Sequence, residues 1–280
     1  MATGFFDLEI TSIAPQGENG LALTFEVPEA LKDVFAFTPG QYLTLRAEID
    51  GEDIRRSYSI CSPLSADHLQ VGIKCLEDGK FSNYAKKLNP GDTLSVMPPQ
   101  GRFVAPIEGS HNYLLIAAGS GVTPILSIAQ SVLEGEPESQ ITLVYGNRTT
   151  ASIMFREELE ALKDRFVDRC SLVHILSRED QDVDLSNGRI DAEKLQDLTA
   201  KNLIAPADYD GIYLCGPQEL IETCASTLQV HGAAKDAIHF ELFTPADGGT
   251  VDPKKRREQI EKAAGEVEVA VILDGTRRSF

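Results

Sequence analysis

Asn112-Tyr113-Leu114-Leu115-Ile116-Ala117-Ala118-Gly119-Ser120-Gly121-Val122-Thr123-Pro124-Ile125-Leu126-Ser127 is the stretch that decides the fold. The apolar run from Tyr113 to Ala118 is too short for a membrane span or a free helix and stops at a glycine, so it reads as a parallel strand buried on both faces. A turn and a helix follow. Thr123 suits the N-cap and Pro124 the first helical position. Ile125, Leu126, Ile128, Ala129, Val132 and Leu133 then keep a helical apolar face until Gly135-Glu136-Pro137 stops it. Gly119 and Gly121 leave the backbone bare where the helix presents free N–H groups and its positive dipole end, which suits a pyrophosphate. The third small position of the usual dinucleotide fingerprint is Pro124, and a plain glycine-rich connection between strand and helix would be spelled the same way.

A chain of 280 residues has room for two domains with their own cores, and 42% hydrophobic with 25% charged residues is ordinary for a globular protein. No apolar run reaches membrane-spanning length, and Met1 to Glu9 lack the basic start and apolar core of a signal peptide, so a cytoplasmic protein is expected. The five cysteines form no C-x-x-C pair and the five histidines show no ligand spacing, so neither a disulfide framework nor a metal site is encoded. A net charge of -17 argues against nucleic acid and anionic membranes as partners.

Upstream of the deciding stretch, six β-type runs alternate with turn residues: Phe5 to Thr11, Leu21 to Val27, Gln41 to Ala47, Ile54 to Ile60, Leu69 to Cys75 and Thr93 to Met97. This spacing predicts a small antiparallel β-barrel over residues 1–107. Ser82-Asn83 suit the cap of a short helix from Tyr84 to Leu88, which sets Lys80, Phe81 and Ser82 beside a helix N-terminus. In Arg55-Arg56-Ser57-Tyr58-Ser59-Ile60, strand alternation lets Arg56 and Tyr58 share a face, offering a cation and a ring; an ordinary barrel strand with solvated arginines fits equally.

Downstream, strands at Tyr113 to Ala118, Ile141 to Tyr145, Leu172 to Leu176 and Ile212 to Cys215 alternate with helices after Thr123, after Ser152, near Asp191 to Leu198 and after Pro217. That alternation predicts an α/β doubly wound parallel sheet over residues 108–243, with its ligand at the carboxyl ends of the strands. An NAD site usually places an acid after the second strand. This chain has Asn147-Arg148 there and Ser177-Arg178 after the third, which fits the 2′-phosphate of NADP; the alternative is that the arginines solvate the sheet edge.

Residues 244–266 turn to Pro, Asp, Gly, Lys and Arg and read as a linker, with Lys254-Lys255-Arg256-Arg257 as a solvated cluster. Residues 267–280 carry two β runs around Asp274-Gly275, a hairpin signal.

Four motifs in order, Arg56-Ser57-Tyr58-Ser59, Gly79-Lys80-Phe81-Ser82, Gly119-Ser120-Gly121-Val122-Thr123-Pro124 and Cys215-Gly216-Pro217, resemble the ferredoxin-NADP reductase superfamily over residues 5–243. The resemblance implies an FAD barrel followed by an NADP domain. Arg56 and Ser82 would hold the FAD pyrophosphate, Tyr58 would pack on the isoalloxazine, Ser59 would approach flavin N5, and Ile73-Lys74 would line the flavin with their backbone. Cys215 would lie where nicotinamide meets flavin, Glu241 would support proton or hydride chemistry, and Phe243 would cover the ring. Without the resemblance, Cys215 reads as a buried strand-end cysteine, Glu241 as a solvent-facing strand residue and Phe243 as core.

The last hairpin resembles the start of a plant-type [2Fe-2S] ferredoxin domain, with the cluster cysteines absent, so a truncation is expected there. That arrangement is similar to the reductase subunits of multicomponent oxygenases, and Tyr145 to Thr150 with the hairpin are most similar to the reductase family serving phenylacetyl-CoA epoxidases. The implied activity is hydride transfer from NADPH to FAD and then single-electron transfer, through the missing [2Fe-2S] domain or another iron–sulfur acceptor, to an oxygenase component. Two other readings stay open: a free-standing ferredoxin or flavodoxin reductase, and a non-catalytic flavin-binding electron-transfer subunit. The arginines at 148 and 178 favour an enzyme.

Overall fold

The structure, a computed structural model, describes residues 4–243, 270–273 and 276–279. The chain divides into two compact units, residues 1–243 and 244–280.

The first unit opens with six strands, β1 (Phe6–Gln16), β2 (Gly20–Phe25), β3 (Tyr42–Ile49), β4 (Glu52–Ser59), β5 (Leu69–Lys74) and β6 (Thr93–Gln100), ordered β4-β3-β6-β1-β2-β5 and antiparallel throughout. Alternation explains why they curl around one core. In β3, Leu43, Leu45 and Ala47 are buried while Thr44 and Arg46 between them are not, the pattern of a strand with one face in the core. An Ile60–Val71 bridge joins the two ends of the sheet and closes the barrel. Helix α1 (Lys80–Ala85) begins earlier than the predicted Tyr84, directly after Gly79, because the Ser82 hydroxyl turns back to the Gly79 carbonyl instead of capping the next turn.

The remaining strands, β7 (Asn112–Ala118), β8 (Gln140–Asn147), β9 (Cys170–Leu176), β10 (Gly211–Gly216) and β11 (Ile238–Leu242), form a parallel sheet ordered β11-β10-β7-β8-β9. Residues 113–117 of β7 are at most 2% exposed, as a strand covered on both faces requires. Helices α2 (Val122–Gly135) and α3 (Arg156–Arg165) cover one face, and α4 (Ala192–Ala200) and α5 (Gln218–Val230) the other. The chain runs outward from β7 to β9 and returns to β10 beside β7, so the crevice at the topological switch lies beyond the ends of β7 and β10.

The barrel and the sheet share packing. Ala22, Cys61, Phe103 and Ala105 from the barrel side belong to the same apolar cluster as Leu115, Val122 and Ile125. In the second unit, β12 (Ala270–Leu273) and β13 (Thr276–Ser279) pair antiparallel, Leu273 opposite Thr276, which is the predicted hairpin. The predicted linker lies outside the described residues.

Candidate functional site

The site lies between the barrel's closing strands and the switch point of the sheet. At the bridge, the Cys61 amide donates to the Gln70 carbonyl at 2.8 Å. Beyond it, among the described residues, β4 pairs only with β3 and β5 only with β2. The edges Arg56–Ser59 and Gly72–Lys74 therefore face each other without a ladder, and the backbone groups along them need partners from elsewhere. Tyr58 stands half-buried at this slot, its ring centroid 5.7 Å from that of Phe81, and burial raises its hydroxyl pKa. Arg56 is half-buried on the same strand face.

Three strands bring Ser59, Cys215 and Glu241 together. Ser59, 3% exposed at the end of β4, donates to Glu241 Oε2 at 3.3 Å. Glu241 on β11 lies in register with Cys215 on β10. Burial pushes the Glu241 carboxyl up to about 7, against the Ser59 hydrogen bond, so near neutrality it exchanges a proton readily. Burial, with the Glu241 charge adding to it, drives the Cys215 thiol well above its ordinary range, so this cysteine is a neutral, compact strand end and no thiolate nucleophile.

The glycine turn meets this cluster directly. A Cβ on Gly121 would lie 2.1 Å from the Cys215 carbonyl oxygen, although its φ of -60° suits any residue, so glycine is required there for space. Gly119, at φ +55°, is required for conformation, and its carbonyl accepts from the Tyr145 hydroxyl at 2.8 Å. Thr123 is not the N-cap. A 3₁₀ turn over Gly119–Gly121 runs straight into α2, leaving Thr123 in its first turn, 1% exposed, donating to the Ser120 carbonyl at 3.0 Å; Pro124 is likewise buried inside the helix.

Sequence reasoning missed the Lys74 side chain. The stretch Val71-Gly72-Ile73-Lys74 ends an apolar strand in a lone cation, which was the available signal, but its direction depends on the other domain. The Lys74 ammonium reaches to 3.1 Å from the position a Cβ on Gly119 would occupy. Desolvation first, and then the Arg148 charge, lower its pKa, and it has no acidic partner among the described residues. Gly72 beside it lets the nucleotide domain close in: a Cβ there would meet Thr123 at 2.4 Å and Phe155 at 2.8 Å.

Arg148 and Arg178 sit on adjacent strand ends, tied by the Arg178 amide to the Arg148 carbonyl at 2.8 Å, with Ser177 donating to the Asn147 carbonyl. Both guanidiniums are exposed and neither is in an ion pair among the described residues. The nearby acid, Glu179, is engaged by the Thr150 amide and hydroxyl, which hold its pKa down.

Other predicted residues serve the frame. Lys80 is paired with Glu52 at 2.8 Å. Phe81 and Ile73 are barrel core, at most 1% exposed. Ser82, 5% exposed, accepts from the Leu76 amide and donates to the Gly79 carbonyl, both at 3.2 Å, so its hydroxyl shapes the turn instead of facing outward; Gly79 leaves room for it. A Cβ on Gly216 would lie 3.3 Å from Ala118, Pro217 precedes α5, and Phe243, 38% exposed, follows β11 close to Glu241 in the chain.

The slot between β4 and β5 suits the polar edge of a flavin, with Tyr58 and Arg56 beside it. The lone ammonium over a bare glycine turn suits the phosphates of a pyridine nucleotide. Both halves of the chain match known domains. The family description "Oxidoreductase FAD-binding domain" matches residues 7–104 and "Oxidoreductase NAD-binding domain" matches residues 115–226. The chain is 44% identical over 244 residues to one of the subunits of the 1,2-phenylacetyl-CoA epoxidase of Escherichia coli K12, covering 86% of this chain and 68% of that protein. It is 34% identical over 276 residues to the ferredoxin reductase component of 3-ketosteroid-9-alpha-monooxygenase from Rhodococcus rhodochrous, covering 96% of this chain and 74% of the other. In fold it is similar to a ferredoxin NADP+ reductase from Neisseria gonorrhoeae solved with FAD and NADP, with TM-score 0.72 and 20% identity over 86% of this chain and 99% of that one.

Proposed function

The chain belongs to the family of FAD- and NAD-binding oxidoreductases that includes the reductase components of oxygenases, and from that premise we propose its donor, its partner and the roles of its residues. It is an FAD-dependent NAD(P)H oxidoreductase. The donor is NADPH, and the electrons leave one at a time for an iron–sulfur acceptor of an oxygenase component, of the phenylacetyl-CoA epoxidase kind. Five buried, unpaired cysteines fit a reducing compartment, so the proposed location is the cytoplasm.

The observation that carries the proposal is the meeting of Ser59, Cys215 and Glu241 at the switch point, flanked by Lys74 and Arg148. When bound, FAD supplies the step-down from a two-electron donor to one-electron acceptors. Arg56 and the turn held by Ser82 bind its pyrophosphate, and Tyr58 supports the ring. Lys74 and the bare backbone at Gly119 and Gly121 bind the NADPH phosphates, while Arg148 and Arg178 hold the 2′-phosphate. Cys215, small and neutral, leaves room for a flat nicotinamide against the flavin. Ser59 supplies a hydroxyl donor at the flavin edge, and Glu241 holds or releases a proton at Oε2 near neutral pH.

The test is anaerobic mixing of the flavin-loaded protein with NADPH, followed by an oxidised iron–sulfur acceptor. Bleaching of the flavin and then its recovery on addition of the acceptor are expected. Flavin that stays yellow under NADPH, or a protein that cannot be reconstituted with FAD, refutes the assignment.

A further inference from the structure

Along α2, Ser127, Ser131 and Glu134 form a polar stripe, spaced to share one side of the helix. Each member of the stripe bonds the segment that follows Ser59. Ser127, fully buried, donates to the Ser62 carbonyl at 2.7 Å, and Ser131, 3% exposed, accepts from the Leu64 amide at 3.0 Å. Glu134 accepts from the Ser65 hydroxyl with one oxygen and from Arg165 of α3 with the other. The Ser62 hydroxyl in turn accepts from the Gln70 amide at 3.1 Å, which ties the rungs to β5 at the closing bridge. Both bodies of the site are thus joined: the strand ends at Tyr58-Ser59 and Gly72–Lys74 on one side, and the helix that starts at the glycine turn on the other.

A purely apolar interface tolerates small slides and rotations, because its attraction has no direction. Buried hydroxyls and amides do not, since a shift of one helical turn, about 5.4 Å, or a modest rotation leaves donors and acceptors without partners and without water. The first rung lies about 7.5 Å along the axis from the start of α2, close enough that an error there is carried to the turn with little loss. Hydride transfer needs donor and acceptor within about 3–3.5 Å, and a misplacement of about 1 Å costs on the order of a hundredfold in rate.

We propose that Ser127 and Ser131 are positioning residues for hydride transfer: by bonding the backbone of residues 62 and 64 they fix how far the nucleotide-binding turn stands from the flavin-binding strand ends. The inference rests on the reading that nicotinamide meets flavin beside Ser59 and Cys215. Both serines are buried against the backbone of residues 62 and 64, and both act through the helix.

The test uses the full chain loaded with FAD, as wild type, Ser127→Ala, Ser131→Ala, the double variant and Ser131→Thr, which keeps the hydroxyl. Flavin content, NADP+ affinity by difference titration, the anaerobic rate of flavin reduction at saturating NADPH and the long-wavelength charge-transfer absorbance are measured. In the double variant, flavin content and NADP+ affinity should stay within about threefold of wild type while reduction slows roughly tenfold to a hundredfold and the charge-transfer band weakens. Ser131→Thr should recover most of the loss seen in Ser131→Ala. Unchanged reduction in the double variant overturns the proposal, as does slowing matched by an equal loss of NADP+ affinity. If the double variant loses FAD, the Ser131→Ala single decides: reduction within twofold of wild type overturns the proposal, and slowing with affinity retained upholds it. A wild type that NADPH does not bleach is a different failure, that of the functional reading itself.

Discussion

Replacing Gly121 by alanine isolates the contact on which the nucleotide turn depends. The backbone there, φ -60°, accepts alanine without strain, so the effect is one of space alone. The new Cβ would lie 2.1 Å from the Cys215 carbonyl oxygen and 2.5 Å from its carbon. Relief to an ordinary carbon–oxygen separation of about 3.3 Å requires a movement of roughly 1 Å. The atoms it meets are strand backbone in the middle of a parallel sheet, so the start of α2 must yield and not β10. Such a displacement of the turn costs on the order of a hundredfold in hydride transfer, or about 2.7 kcal/mol of transition-state stabilisation. The assay is stopped-flow reduction of the flavin by NADPH without oxygen, with flavin content as the control for folding. Gly4→Ala is the companion variant, since a Cβ there has nothing within 4 Å and its backbone is not left-handed, and it should leave reduction unchanged. Gly121→Ala reducing its flavin within threefold of the wild-type rate would show that the close approach of α2 to Cys215 does not set the geometry of transfer.

Replacing Lys74 by methionine should leave FAD bound but weaken NADP+ about tenfold, because it removes the cation over the glycine turn; loss of flavin instead would return Lys74 to the flavin side of the site. Arg148→Ala with Arg178→Ala should raise the KM for NADPH tenfold or more and that for NADH by less than about twofold, and equal losses would mean that the pair holds a shared part of the dinucleotide. Burial raises the Glu241 carboxyl to about 7, so the folded state keeps a proton that the unfolded chain releases near 4.5. Its contribution to stability is therefore present below about 4.5 and is lost as pH rises through about 7. The difference in Tm between Glu241→Gln and wild type should accordingly grow in the variant's favour across that window and then level off, and a flat difference would show that the carboxyl is not perturbed.

The sequence made the architecture readable wherever the signal was local. The run at 113–118 announces its strand by composition, and Gly119 marks where it ends. The misreadings came where a short polar residue had two local options. Thr123 and Ser82 both look like N-caps, yet each turns its hydroxyl back to a carbonyl three residues earlier, because the helix had already begun at a glycine. Residues whose meaning depends on the opposite domain were beyond reach: the direction of Lys74, the missing side chain at Gly72, and the partners of Ser127 and Ser131 are all fixed by contacts far along the chain. Glu241 was nameable from its motif, but only the register of β11 beside β10 brings it to Ser59 and Cys215.

Where residues 62 and 64 meet α2, the join between barrel and sheet is written asymmetrically. At Ser62 and Leu64 the barrel contributes main-chain atoms, and at Glu18 its amide meets the Ala151 carbonyl at 2.8 Å, main chain to main chain. Every barrel of this shape presents those groups whatever its side chains. The opposing hydroxyls belong to α2 alone. Substitutions at Pro63 and in the exposed side chain of Leu64 cost the seam little, whereas the helix cannot drift freely. In building chimeras, then, this nucleotide half should accept a foreign barrel of matching loop length more readily than this barrel accepts a foreign nucleotide half, unless the serines of α2 are transplanted with it.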